Sequence, residues 1–600
     1  MKVDSGNATL PFMFQFISAL GAFFLLLMVP SLPATTDATD RELAGVWRGI
    51  LDPDGAHLEL IFHIHPSTEN GWNGTVDTPA QNSIGRPLSG ISTGVDGGVF
   101  ISVAATGAVF EAKLNSKGDE LQGIWKQRGA ELSLQCQRQP TPPVIPDEVA
   151  QALSNSWEGV LPVGSIELRI HLNLERTKED RFSGFMVSPD QSPAKFSVTR
   201  VDYLKERRVR ICVGEASVRL EMDLSSAGDE LKGSFLQGPA EFDLSLIRVK
   251  QISAVHRPQE PKPPYPYRSE EVSYSNQTAG ITFAGTLTIP QGEGPFPGVL
   301  LITGSGPQNR DEMIFEHRPF FVIADHLTRK GIAVLRVDDR GVGETTSGST
   351  PLQDTTEDFV EDVLSGFEYL QQRSDIDGDQ IGLIGHSEGG VIAPLAAVKN
   401  KDVAFIILMA GTGIRGDLLL LKQKELISRA SGIIDPEEID LSVELTRQLF
   451  ALVMEDDISA AATRSKIEKL VREFKDLAEG SVADAEVARV IAELESRWIR
   501  WFLRHDPALI IERVRCPVLA INGSLDLQVP CQENLAAIGS ALTRGKNQDF
   551  ELIEFPGLNH LFQHCKTGLP SEYGKIEETF SVEVLEKMTH WILQRFGKKN

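Results

Sequence analysis

The stretch that decides the reading runs Ile381-Gly-Leu-Ile-Gly-His-Ser-Glu-Gly-Gly-Val-Ile-Ala-Pro-Leu-Ala-Ala397. Its first residues read as a short buried strand and its last seven as the opening of an apolar helix. Between them lie Gly385, His386, Ser387, Glu388 and Gly389. A strand that turns sharply into a helix lifts the central serine hydroxyl clear of the sheet. Glycine two before and two after leaves room for that crowded turn. The same pattern occurs at Gly90-Ile-Ser-Thr-Gly94. There it lies among alternating β segments with no helix after it, and it reads as an ordinary turn. Context singles out Ser387.

Outward from this turn, short apolar strands at 298–303, 332–338, 380–385, 403–410, 517–522 and 550–555 alternate with helical stretches at 356–372, 389–398 and 576–595. That grammar predicts an α/β domain over 269–600, its mostly parallel sheet covered on both faces. From 412 to 505 the alternation gives way to helix-rich sequence without strands. It predicts a helical cap over the carboxyl ends of the strands, where open α/β sheets bind ligands.

A serine hydroxyl is a poor nucleophile until a base takes its proton. For a serine raised at such a turn, the order along the chain is serine, acid, histidine. The segment Pro517-Val-Leu-Ala-Ile-Asn-Gly-Ser-Leu-Asp526 is a late strand followed by a loop ending in Asp526. The next strand leads to His560 through Phe555-Pro-Gly-Leu-Asn-His560. His560 is therefore the expected base and Asp526 the group that orients its ring. Asp417 and His564 are the next candidates. A developing oxyanion needs preorganised N–H donors. The Glu388 amide is one candidate, and the Ser305 amide in Thr303-Gly-Ser-Gly-Pro307 is the other, with Gly304 and Gly306 supporting the loop. No Lys-Ser/Thr follows these glycines, as a phosphate-binding P-loop would require. The neighbouring Arg310-Asp-Glu312 is expected to pin the loop by ion pairing, in preference to orienting a substrate carboxylate.

The N-terminal third repeats itself at an offset of 110 residues. Trp47-Arg-Gly49 falls on Trp157-Glu-Gly159, Gly74 on Gly184, and Gly118-Asp-Glu-Leu-Gln-Gly123 on Gly228-Asp-Glu-Leu-Lys-Gly233. Period-two apolar alternation broken by Gly, Asp and Asn predicts an all-β domain in each copy, a small barrel or sandwich, over 39–140 and 150–250. The Pro-rich stretch within 251–268 predicts a stiff extended linker. His63 and His65 share a strand face as metal ligands often do. Their counterparts are Asn173 and Glu175, so a solvent-facing pair is expected and no metal site.

From Ser5 to Thr36 the chain carries no charge, and Leu10 to Leu32 is almost wholly apolar. Residues 1–38 are therefore expected to be an export signal cut near Ala34, or an uncleaved membrane anchor. With 83 Asp+Glu against 59 Lys+Arg, a net charge of −24, the field repels polyanions and excludes nucleic acid as a partner. Five scattered cysteines make neither a disulfide framework nor a metal signature, although Cys531 and Cys565 could meet near the site.

Residues 270–600 resemble the α/β-hydrolase superfamily, with Asp338-Asp-Arg-Gly-Val-Gly343 matching its Asp-Arg-Gly-x-Gly loop. Gly304-Ser-Gly-Pro-Gln-Asn-Arg-Asp-Glu312 together with Gly385-His-Ser-Glu-Gly-Gly390 resembles a bacterial carboxylesterase group of the EstD type, akin to serine aminopeptidases. The resemblance implies a Ser387/Asp526/His560 triad, a helical cap, and hydrolysis of short-acyl, small-molecule esters with no metal or organic cofactor. Glu344-Thr345 stands where that family commonly has serine. A peptidase using the same triad is the nearest alternative, with Glu455-Asp-Asp457 as possible amino-terminus anchors. A glycan- or ligand-binding protein built on the β-repeats is the alternative from another class; the sequence leaves their ligand unknown.

Overall fold

The computed structural model describes residues 43–597, apart from 53–56, 68–70, 80–82, 95–96, 104–105, 128, 164–165, 179–180, 191, 215, 238–239, 251–255, 348–353, 433, 456–459 and 478–483. The segment 1–38, expected to direct export, lies outside the described residues. The described residues fall into two compact units, one ending at residue 250 and the other starting at residue 256.

The first unit holds two nine-stranded antiparallel sheets, one from Gly45–Leu51 to Ala130–Arg138, the other from Ser156–Val163 to Ala240–Val249. In each, the first strand pairs with both the second and the ninth, and the sheet curls until its third strand approaches its fifth. The curl wraps a core that includes Trp47, Phe62 and Phe110 in one copy and Trp157, Leu172 and Leu220 in the other. The recurring residues recur for steric reasons. A β-carbon on Gly123 would lie 1.9 Å from the Glu111 carbonyl oxygen, and one on Gly233 would lie 2.0 Å from that of Glu221. Only glycine lets those facing strands approach so closely. The two tryptophans are held alike: Trp47 Nε1 donates to Leu43 O at 2.9 Å and Trp157 Nε1 to Leu153 O at 3.1 Å.

Where the copies touch, the repetition stops. Arg200 of the second copy donates to Asp77 and Thr75 of the first, and Thr199 Oγ1 donates to Gly85 O at 2.7 Å. His63 lies 3.0 Å from the same Asp77 carboxylate. The expected solvent-facing pair is thus corrected: His63 is largely buried at this contact, and burial, followed by the charge of Arg181, lowers the His65 pKa to about 4. Among the described residues no cluster of three or more His, Cys, Asp or Glu could hold a metal. All five cysteines are free thiols.

The second unit is built on β1 (Tyr267–Asn276), β2 (Ile281–Pro290), β3 (Phe296–Ile302), β4 (Ala333–Val337), β5 (Ile376–His386), β6 (Phe405–Met409), β7 (Val518–Gly523) and β8 (Phe550–Phe555). They lie in the order β1-β2-β4-β3-β5-β6-β7-β8. The pairs from β4 to β8 are parallel, and β2 runs antiparallel to β1 and β4. The central strands are buried on both faces, as their continuous apolar character requires. Helices α1 (Pro319–Arg329), α2 (Thr356–Gln371) and α3 (Gly389–Lys399) follow β3, β4 and β5. A helical insertion separates β6 from β7: α4 (Gly416–Ser431), α5 (Pro436–Met454), α6 (Ala460–Leu477), α7 (Asp484–Glu495), α8 (Arg497–Arg504) and the short α9 (Pro507–Ile511). Leu449, Ile467, Val490 and Leu503 help give it a core of its own. Helices α10 (Cys531–Arg544), α11 (Pro570–Tyr573) and α12 (Val582–Phe596) complete the layers.

Three further expectations differ from what is observed, and the first is Gly90-Ile-Ser-Thr93, which is not a turn but a short strand at the edge of the first sheet. The last helix begins at Val582, not 576, because the Thr579 and Phe580 amides are taken by Gln259 Oε1. The Pro-rich stretch is no free spacer over its described length. Arg257 is buried and donates to the carbonyls of Phe315, Gly574 and Ile576, and Tyr267 already belongs to β1.

Candidate active site

Strand β5 ends at His386 and helix α3 starts at Gly389, leaving Ser387 at the apex with φ +53. That left-handed conformation is costly for serine and persists only where the surroundings enforce it. The Ser387 amide donates to Met409 O at 2.9 Å, tying the apex to β6. A β-carbon on Gly385 would lie 2.0 Å from Gly389 O, and one on Gly389 would lie 2.3 Å from Ile302 O. Both flanking glycines are therefore sterically required.

The loop after β3 lies beside the serine: a β-carbon on Gly304 would come 3.3 Å from Ser387 Cβ. The Asp338-Asp339 pair after β4 holds this loop. Asp339 accepts from Thr303 Oγ1 at 2.9 Å and from the Gln308 amide at 2.8 Å, and burial keeps its carboxyl well above the ordinary range. Arg310 is committed to Asp338 Oδ2 at 2.6 Å and to Glu271. Its role is to pin the loop. Gly306 turns the loop with φ +88.

Asp526 follows β7. Its Oδ1 accepts the Gln528 and Val529 amides at 2.8 and 2.9 Å, and its Oδ2 lies 2.8 Å from His560 Nδ1. Both side chains are almost wholly buried. A carboxylate can only accept, so Nδ1 carries the hydrogen and Nε2 is free to take a proton. The His560 carbonyl oxygen lies 3.0 Å from Nε2 of His386, the residue before Ser387, and the two imidazole centroids are 4.8 Å apart. The structure thus brings Asp526 to His560, and His560 to the flank of the elbow. Among the described hydrogen bonds none joins Ser387 Oγ to His560 Nε2. Such bonds are often long without substrate and tighten when it binds.

Of the other sequence candidates, Asp417 is paired with Arg415 at 2.6 Å, and His564 is exposed beside Glu578. Glu388 does more than its amide suggested. Its buried carboxylate accepts from Thr356 Oγ1 at 2.5 Å and Trp498 Nε1 at 2.7 Å. Burial nonetheless pushes its pKa up. Trp498 brings helix α8 of the insertion onto the residue after the serine. Leu419, Phe502 and Val529 pack together there, with Trp498 against them. Sequence spacing offered no signal for Trp498, nor for the buried pair of His386 with Glu312, 2.9 Å apart.

A family model described as serine aminopeptidase, S33, matches residues 316–434, which include Ser387. Esterase EstD of Thermotoga maritima is 26% identical over 311 residues, covering 52% of this chain and 65% of EstD. The putative hydrolase YtaP of Bacillus subtilis is 34% identical over 132 residues, covering 18% of this chain and 42% of YtaP. The chain thus spans less than two thirds of the length of either relative. Among solved structures, the Pyrococcus furiosus esterase Pf2001 aligns with a TM-score of 0.33 at 14% identity, covering 55% of this chain and 93% of that one. In its elbow, its sheet order and its sequence, the second unit is similar to the α/β-hydrolase domains of the EstD type.

Proposed function

We propose that this protein is a carboxylesterase-type serine hydrolase acting on small-molecule esters of short acyl groups through an acyl-enzyme on Ser387. The buried Asp526–His560 pair beside a strained serine elbow carries the reading. His560 Nε2 takes the Ser387 proton as Oγ bonds to the ester carbonyl carbon. The amides of Ser305 and Glu388 receive the oxyanion, and neither has an acceptor among the described hydrogen bonds. As the intermediate collapses, the ester C–O bond breaks and His560 returns the proton to the departing alcohol. Water, activated by the same imidazole, then releases the acid. No step calls for a cofactor. The helical insertion acts as a cap, which the contact of Trp498 with Glu388 supports. The apolar N-terminal segment supports export to the periplasm or beyond, cleaved or retained as an anchor.

The test pairs p-nitrophenyl acetate with aminoacyl anilides and adds a fluorophosphonate probe. The ester is expected to turn over faster and the probe to label Ser387. Ser387→Ala should lower kcat by about 10⁵-fold or more while leaving the melting temperature unchanged. A preference for the anilides would select the peptidase reading. An unlabelled Ser387 would favour a binding protein that works through its β-repeats.

A further inference from the structure

Each ring nitrogen of His386 faces an oxygen that accepts. Nε2 lies 3.0 Å from the His560 carbonyl oxygen, and Nδ1 lies 2.9 Å from Glu312 Oε1. A carbonyl has no proton to give, so Nε2 carries a hydrogen. Glu312 Oε1 also accepts the Gly304 amide at 2.7 Å. An ionised carboxylate oxygen takes both bonds readily, whereas a protonated one would spend capacity as a donor. A carboxylate against a doubly protonated ring satisfies every group. The two side chains are 7% and 6% exposed. At that depth an unpaired charge of either sign is costly, so the two charges persist or vanish together.

We propose that His386 is a standing imidazolium that acts as a positioning residue, its pairing with Glu312 tying the oxyanion loop at Gly304 to the loop that carries His560. This rests on the hydrolase reading above. The titratable groups facing His386 are Glu312 from the loop after β3, the His560 ring from the loop after β8, and Asp526 from the loop after β7. Phe562 supplies an uncharged ring edge. Burial alone would lower the His386 pKa; Glu312, the His560 carbonyl and Asp526 outweigh it, and the direction is up. The charged form is therefore present below the raised value and lost as pH climbs through it. Neither side chain touches substrate in this scheme. Both act by holding the Gly304 loop and the His560 loop in register.

Glu312→Gln tests the charge and spares the contacts, since an amide oxygen can still accept from Gly304 and from Nδ1–H. Without its counter-charge, His386 should lose its proton within about pH 5 to pH 8, where an unperturbed imidazole titrates. Wild-type turnover of p-nitrophenyl acetate should show no falling limb up to about pH 8. In Glu312→Gln a falling limb should appear, lowering kcat by about tenfold with KM little changed. A Glu312→Gln profile that matches wild type overturns the proposal. A second readout needs no turnover: nitrogen-15 spectra of histidine-labelled protein, with His386 assigned by its loss in His386→Gln. If that variant does not fold, the signals that shift in Glu312→Gln make the assignment. Both His386 nitrogens should remain protonated throughout that pH span, and a bare nitrogen overturns the proposal. A protein without esterase activity would fail the functional reading while leaving this spectroscopic result intact.

Discussion

The doubled β unit and the α/β unit both depend on glycines pressed against a carbonyl, and they put the missing side chain to different ends. In the β unit, β-carbons on Gly74 and Gly184 would lie 2.4 and 1.9 Å from the carbonyl oxygens of His63 and Asn173. Gly123 and Gly233 meet Glu111 and Glu221 in the same way. These glycines admit a neighbouring strand, and each occurs twice because the same curled sheet is built twice. In the α/β unit, Gly385 admits the Gly389 carbonyl of its own turn and Gly389 admits the Ile302 carbonyl at the end of β3, and together they let one turn hold Ser387 at φ +53. A glycine kept by a fold recurs with the fold, whereas one kept by a site stands alone beside a strained residue. The look-alike Gly90-Ile-Ser-Thr-Gly94 marks the contrast. Its first four residues form an edge strand, its serine has ordinary backbone angles, and a β-carbon on Gly90 would meet only the movable Ser102 hydroxyl.

The comparison breaks most visibly at the elbow. Gly385→Ala should lower esterase turnover by about 10²-fold or more, because a displacement of about 1 Å at the nucleophile is enough to do so. Gly90→Ala, at the matching letter of the look-alike, should leave turnover unchanged and stability within about 0.5 kcal/mol. A Gly385→Ala enzyme of ordinary activity would show that the motif tolerates a side chain and that the steric argument is wrong.

What the β copies do not share is their mutual contact, so its loss should separate them. The counterparts of Asp77 and Arg200 at the 110-residue offset are Val187 and Gly90. Asp77 and Arg200 are 7% and 12% exposed. Asp77→Asn leaves a buried guanidinium without its full counter-charge, and should destabilise the unit by about 3 kcal/mol. The pH dependence has a definite sign. Burial alone would raise the Asp77 pKa, but His63 and Arg200 hold it below the ordinary range. Its contribution is therefore complete above the unfolded value, about 4, and is lost as pH falls below that. Urea unfolding should show the wild-type advantage over Asp77→Asn at neutral pH shrinking on acidification. An advantage that grows in acid would contradict the assignment.

Legibility followed the same division. The repeat could be read because identical sterics acted at both copies, and the strands β3 to β7 because burial on both faces made them nearly continuously apolar. The opening hairpin escaped notice because β1 lies at the sheet edge, with Arg268 and Glu271 exposed between its partly buried positions. Ser387, Asp526 and His560 were reachable because each follows its own strand. Glu312 and His386 are 74 residues apart, and Trp498 is 110 from Glu388. Those partners meet only through the packing of loops and of the helical insertion, which leaves no periodic trace in the sequence.

The finest test lies within one motif. In Gly118-Asp-Glu-Leu-Gln-Gly123 the first glycine has φ +70 and open space where a methyl would stand, while the second is blocked at 1.9 Å. Gly123→Ala must push two strands apart, at a cost of about 2–3 kcal/mol. Gly118→Ala costs only the left-handed backbone penalty, about 1 kcal/mol. Amide hydrogen exchange reads both in the full chain, because local opening tracks local stability. Protection across Ala108–Leu114 and Glu120–Gln127 should fall on the order of 10²-fold for Gly123→Ala and about fivefold for Gly118→Ala, with Val218–Leu224 and Glu230–Gln237 unchanged in both. Equal losses from the two variants would mean that turn conformation, not strand approach, is what keeps the motif in both copies.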